Sequence, residues 1–167
     1  MPPSLVEVVA LSADDWERWR ALRRTALAED PAAFSSTLAQ WSGADDLEER
    51  WRARLATVRH NLVVVAAGHD VGMVSLTAPD GDEPPALISL WVAPLVRGTG
   101  AADAAVEAVL ALADDAYPGA PVVLSVYEAN RAARRLYARH GFVDAGPSPH
   151  GAGELLMVHR PAPAPSR

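Results

Sequence analysis

Ile88-Ser89-Leu90-Trp91-Val92-Ala93-Pro94-Leu95-Val96-Arg97-Gly98-Thr99-Gly100 leads straight into an alanine-rich run, Ala101 to Ala113. The first five residues form an apolar run of strand length, bounded by a turn. The alanine-rich run has high helix propensity. A strand, a glycine turn and a helix in that order make an anion cradle. Glycine lets the backbone take positive φ and approach a ligand closely. The first turn of the helix adds N–H groups without partners and the positive end of the helix dipole, which together suit a phosphate or pyrophosphate. Two known phosphate motifs fail here. A P-loop needs a lysine and a hydroxyl after its second glycine, and this chain has no lysine at all. The dinucleotide fingerprint needs a third glycine where Asp103 stands.

The chain has 167 residues, enough for one domain with a full core. Half of the residues are apolar, so the class is globular. No apolar run approaches the roughly 20 residues of a membrane span. Met1-Pro2-Pro3-Ser4 lacks a basic region and an apolar signal segment. Cysteine is absent, which excludes disulfides, thiolate nucleophiles and cysteine-based zinc sites and fits a reducing, cytoplasmic setting. The net charge of −6 disfavours nucleic acid and anionic membrane as partners and leans mildly towards a cationic or amine substrate.

From the N-terminus, Leu5 to Leu11 reads as a strand. Ser12 with Asp14 or Asp15 caps a helix to about Glu29, with Trp16, Trp19, Leu22 (or Arg23) and Ala26 along its apolar face. Asp30-Pro31 stops it. A second helix runs from about Asp45 to Val58 on the stripe Leu47, Trp51, Leu55, its Glu and Arg positions forming a solvated face. Leu62–Ala67 and Val71–Thr77 form a hairpin across Gly68-His69-Asp70. After the central stretch come a strand at Val122–Tyr127 and a helix from about Arg131 to His140, closed by Gly141. The last strands are Phe142-Val143 and Glu154–Val158, separated by a Gly/Pro loop. The order predicts a mixed α/β fold: a mostly antiparallel, twisted sheet of about six to seven strands flanked by four helices. Residues 1–160 make one domain, and 161–167 a disordered Pro/Ala-rich tail.

Two motifs in register then carry a resemblance. Arg97-Gly98-Thr99-Gly100-Ala101-Ala102 fits the pattern Gln/Arg-x-x-Gly-x-Gly/Ala. About thirty residues on, Asn130-Arg131-Ala132-Ala133-Arg134-Arg135-Leu136-Tyr137-Ala138-Arg139-His140-Gly141-Phe142 fits Asn-x-x-Ala-x-x-Leu-Tyr-x-x-x-Gly-Phe. Together they resemble the GNAT superfamily of acetyl-CoA-dependent N-acetyltransferases, over about Val6 to Met157. The resemblance implies that Arg97 to Ala102, that is Arg97, Gly98, Thr99, Gly100, Ala101 and Ala102, hold the pyrophosphate of acetyl-CoA. It implies that the strands Leu87–Val92 and Val122–Tyr127 splay apart, and that the pantetheine arm pairs with the backbone of Leu90, Trp91 and Val92. Asn130 then binds the arm, although an asparagine there is equally a helix N-cap. Tyr137 becomes the proton donor to the leaving thiolate, its other reading being a core tyrosine beside Ala133 and Leu136. A backbone N–H of Trp91 or Val92 stabilises the oxyanion.

The residue that deprotonates the amine is less well marked. Relatives with a glutamate on the central strand have no counterpart in Leu87-Ile88-Ser89-Leu90. Ribosomal-protein acetyltransferases place a glutamate where this chain has Ser125. Glu128 is the candidate base, with Glu83 and water-mediated transfer as alternatives. The histidines show no ligand spacing, so no metal is expected. Phe34, Trp41 and Trp51 are candidates for the acceptor pocket, and Trp91 for its acyl end; Trp51 reads rather as core, on the stripe with Leu47 and Leu55, and Trp91 equally as a packed strand residue. The expected activity is transfer of an acetyl group from acetyl-CoA to a primary amine of a small molecule or peptide in a ternary complex, by a monomer or homodimer. The alternative is a non-catalytic acyl-CoA-binding module.

Overall fold

Alternation along the central strands decides how the chain layers. In β2 (His60–Ala66) and β3 (His69–Leu76), Leu62, Val64, Val74 and Leu76 face one core, while Val63 and Met73 face another. A sheet apolar on both faces must be covered on both. α1 (Trp16–Glu29) and α2 (Glu48–Thr57) cover one face, around Trp19 and Trp51, both fully buried. α3 (Ala101–Ala116) covers the other through Ala101, Ala105, Val106, Val109 and Ala113. Small residues at these positions let the helix lie close to the strands.

The computed structural model describes residues 5–163 and 166. The reading of Met1–Ser4 and most of the reading of a disordered tail therefore lie outside the described residues. Residues 161–163 carry no regular structure. Among the described residues no helix is long and apolar enough to cross a membrane.

Among the described residues seven strands and four α-helices form a mixed α/β fold. β1 (Val6–Leu11), β2, β3 and β4 (Leu87–Val92) pair antiparallel in that order. A second sheet has the order β5 (Val122–Tyr127), β7 (Glu154–His159), β6 (Val143–Pro147), also antiparallel. The two sheets meet in one parallel bridge, Ala86 to Val123, where the Val123 N–H donates to the Pro85 carbonyl at 3.0 Å. Beyond that bridge β4 and β5 part, so the expected splay is present and divides the predicted sheet into four strands and three.

Several expected boundaries shift, each for a physical reason. The β2–β3 turn is Ala67-Gly68, both at positive φ (50° and 78°), a two-residue hairpin turn rather than Gly68-His69-Asp70. Asp70 is thereby free to accept both Nε and Nη2 of Arg18, pinning α1 to the hairpin at 2.8 and 2.7 Å. α2 starts at Glu48, with Leu47 as an exposed N-cap outside the apolar stripe. β6 extends from Val143 to Pro147 through an irregular register, absorbing part of the expected loop.

Candidate active site

β4 carries a defect at Ser89, a non-glycine residue in the left-handed region (φ 59°), where the register with β3 slips. A bulge bends its strand and increases local twist. Here it turns the C-terminal half of β4 away from β5. The resulting cleft has a volume of about 890 Å³ and is lined by both strands, the cradle, the helix α4 (Arg131–Arg139) and the exit of α1.

At the cradle, Gly98 and Gly100 hold φ of 77° and 90°. The first intrahelical bond of α3 runs from the Ala104 N–H to the Gly100 carbonyl, at 2.9 Å. The N–H groups of Ala101, Ala102 and Asp103 thus have no helical acceptor. A Cβ at either Gly98 or Gly100 would meet open space, so these glycines are required by their backbone angle and by what approaches them. Thr99 is exposed, its hydroxyl folded back to donate to the Val96 carbonyl at 2.6 Å. Ala101 is fully buried under α3. Neither side chain lines the cleft, whereas Arg97, Gly98, Gly100 and Ala102 do. Asp103, in place of a third glycine, accepts from Arg139 (2.9 Å) and His140 (2.8 Å). The hydrogen bond from His140, reinforced by Arg139, holds its carboxyl below the ordinary range.

On the β4 side, the Ala93 N–H donates to the Val71 carbonyl at 2.7 Å. Alternation along an antiparallel strand then gives Trp91 to β3 and leaves the Val92 N–H facing the gap. The Val92 carbonyl accepts from Arg97 Nε at 3.2 Å. The Arg97 guanidinium also reaches Asp30 at 2.7 Å, and the same carboxylate oxygen accepts from Trp91 Nε1 at 2.7 Å. Burial raises the Asp30 carboxyl, but these two hydrogen bonds outweigh it and keep it ionised. Asp30 therefore ties the end of α1 to β4 and to the cradle. Trp91 is largely a packing residue, buried against Trp19 and Met73, with an edge on the cleft.

α4 (Arg131–Arg139) presents Asn130 and Tyr137. Asn130 Oδ1 accepts the Ala133 N–H at 3.2 Å, so the residue is the N-cap, and it lines the cleft as well. The other end closes as a Schellman motif: Phe142 N–H to the Tyr137 carbonyl, Gly141 N–H to the Ala138 carbonyl, both at 3.1 Å. This fixes Tyr137, whose ring packs edge-on against Phe142 at 5.7 Å. Tyr137 is 7% exposed, and its hydroxyl proton is held well above the usual tyrosine range by burial alone. It is at once a core residue and a cleft residue.

The structure does not bring Glu128 to the cleft. It is exposed on the turn after β5, its backbone N–H bound to the Gly153 carbonyl at 2.9 Å. Glu83 does not line the cleft either. Glu154, at the start of β7 opposite Tyr127, does, together with His150. Of the three carboxylates lining the cleft, Asp30 and Asp103 are ion-paired, whereas Glu154 has no ion pair among the described residues. Phe34 lines the cleft as expected, whereas Trp41 and Trp51 do not: they pack on each other at 4.5 Å beside α2.

Two cleft residues were not expected from the sequence, although Arg23 stood as an alternative to Leu22 on the inner face of α1. Arg23 of α1 and Arg54 of α2 turn into the cleft rather than into solvent. Arg54 donates to Asn61 Oδ1 at 3.0 Å and to Ser89 Oγ at 3.2 Å, with its guanidinium over the Trp19 ring at 5.0 Å. Arg23 lies over Phe34 at 4.7 Å. The available signal was positional: Arg23 sits four residues after Trp19 and Arg54 three after Trp51, on the buried sides of their helices.

Residues 14–142 match the family model of the acetyltransferase (GNAT) family. Among solved structures, an acetyltransferase of the GNAT family from Streptococcus pneumoniae is similar over 93% of this chain and 99% of its own, at 20% identity and a TM-score of 0.72. A PaiA N-acetyltransferase from Thermoplasma acidophilum, solved in complex with coenzyme A, covers the same shares at 13% identity and a TM-score of 0.72. A chimeric spermidine N-acetyltransferase from Vibrio cholerae and hSSAT is similar over 94% of this chain and 96% of its own, at 20% identity and a TM-score of 0.71. No curated protein matches.

Proposed function

The chain belongs to the GNAT family of acetyltransferases, and on that premise we propose that it transfers the acetyl group of acetyl-CoA to a primary amine by direct attack in a ternary complex. The thioester supplies the activated acyl group. The open amides of Ala101, Ala102 and Asp103 fit a pyrophosphate: convergent N–H donors at a helix N-terminus, with Gly98 and Gly100 where the ligand must come close. Asn130 and the gap-facing backbone of β4 at Val92 position the arm between the strands. The Val92 N–H faces the acyl carbonyl oxygen and is fixed in place before the reaction begins, so no reorganisation is needed to stabilise developing charge.

As the nitrogen–carbon bond forms and the carbon–sulfur bond breaks, Tyr137 gives its proton to the departing sulfur. Glu154, in place of Glu128, receives the proton lost by the amine, directly or through one water. Glu154 is favoured because it borders the cleft and has no ion pair among the described residues, whereas Glu128 lies outside it.

The observation that carries this reading is the Tyr137 hydroxyl, kept protonated by burial in a cleft that ends in open main-chain donors. Its test is the Tyr137→Phe variant. Turnover, followed as thiol release from acetyl-CoA, falls roughly 100-fold or more, with acetyl-CoA affinity by calorimetry unchanged. Undiminished turnover removes Tyr137 from the mechanism, and failure of the native chain to bind acetyl-CoA removes the reading.

A further inference from the structure

The acceptor half of the cleft is positively charged, against the sign of the whole molecule. Arg23 and Arg54 line it beside Phe34, Ser35 and Ser36. Arg54 is anchored from three strands, by Asn61, Ser75 and Ser89. Arg23 has only the Phe34 ring beneath it, and its Nη1 is out of solvent with no hydrogen-bond partner. Among the described residues no salt bridge reaches either group, although the sequence has 21 Asp and Glu side chains. Burial pushes the Arg23 guanidinium down to about 10, and burial together with the nearby Arg23 charge brings Arg54 to about 10, so the two are close enough to repel. Both stay protonated at neutral pH.

Two desolvated like charges with no counter-charge are costly to a fold. A buried donor left empty needs an explanation in a ligand or in function. The planar guanidinium fork matches a carboxylate with two parallel hydrogen bonds, and an aromatic ring beneath it keeps the fork oriented. We infer that the amine acceptor bears a carboxylate, which docks on Arg23 and Arg54, so that the substrate is an amino acid or a similarly compact amine with an acid group. Compactness follows from the strand. Ser89, which holds Arg54, is three residues from Val92, a span of about 10 Å, so acid and amine are separated by a short spacer. This inference rests on the acetyltransferase reading and names its substrate class.

The full-length chain is first titrated with acetyl-CoA by calorimetry; no binding would overturn the underlying reading rather than the carboxylate. With binding established, thiol release is measured on the common amino acids, each beside its carboxamide and the amine lacking the carboxyl group, with aminoalkyl phosphates and spermidine alongside. The free acids are expected to exceed their carboxamides in kcat/KM by about 100-fold. In Arg23→Gln that preference collapses through acceptor KM, with acetyl-CoA affinity unchanged and Tm raised, because an unpartnered buried charge has been removed. Arg54→Gln gives up internal hydrogen bonds as well, so Arg23→Gln keeps the test valid should the other fail to fold. Equal rates on acid and carboxamide, preference for spermidine or for phosphates, or no turnover of any carboxylated amine despite acetyl-CoA binding, would each overturn the carboxylate assignment.

Discussion

Glu154 shows how much a single position can depend on its neighbours. It stands at the first residue of β7, and any side chain at Gly151 would come within 2.8 Å of its carboxyl carbon. That glycine keeps room for the carboxylate beside the cleft. Glu154→Gln is expected to lower kcat roughly 10- to 100-fold near neutral pH, with acetyl-CoA affinity unchanged. Stopped-flow thiol release would check it, and recovery of rate at alkaline pH, where more of the amine is already deprotonated, is the accompanying signature. Tyr137 and Asn130 were legible from sequence because a motif with fixed spacing named them. Arg23 and Arg54 were not. An arginine on a helix reads as a solvated face, and what keeps Arg54 inside is contributed by Asn61, Ser75 and Ser89, residues 7 to 35 positions further along the chain. Glu128 was misplaced for a related reason: nearness to Asn130 in sequence is not nearness to the cleft, because the chain turns outward after Tyr127.

Among the elements, α4 carries five cleft-lining residues on nine positions, with Asn130 as its N-cap beside them, and is secured at both ends by side-chain or backbone caps. Its C-terminal cap depends on Gly141, at φ 86°, where an added Cβ would also meet the His159 ring at 3.3 Å. Gly141→Ala should cost roughly 1–3 kcal/mol, read as a lower urea midpoint. Because the same motif orients Tyr137, kcat should fall more than acetyl-CoA affinity. The identity and order of the elements were readable because long periodic segments and turn residues mark them clearly. The bulge at Ser89 was not. Serine has no special claim to a left-handed conformation, and the residue is held there between Ile88 and Trp91, which pair with β3, and by the hydrogen bond from Arg54.

Across the whole molecule, aspartates sit where separate elements meet. Asp46 accepts from Arg20, Arg24 and Trp51, joining the segment before α2 to both helices. Its carboxyl is held far below the ordinary range, first by the hydrogen bond from Arg20 and then by that from Trp51. Asp30 and Asp103 are depressed as well, at the joints of α1 with β4 and of α3 with α4. A carboxyl with a lower pKa in the folded chain stabilises it fully above the unfolded value, about 3.9, and loses that contribution as pH falls towards the folded value. Urea unfolding should therefore show stability that is level from about pH 5 upward and declines below about pH 4. Asp46→Asn should lower the plateau and flatten the acid decline.

The lone bridge between Ala86 and Val123 has one more implication. The two sheets share a seam that is sewn at one stitch and left open for the rest of its length. Whatever lies in that seam finishes a fabric that the polypeptide itself leaves incomplete, so filling it and stiffening the enzyme become a single equilibrium.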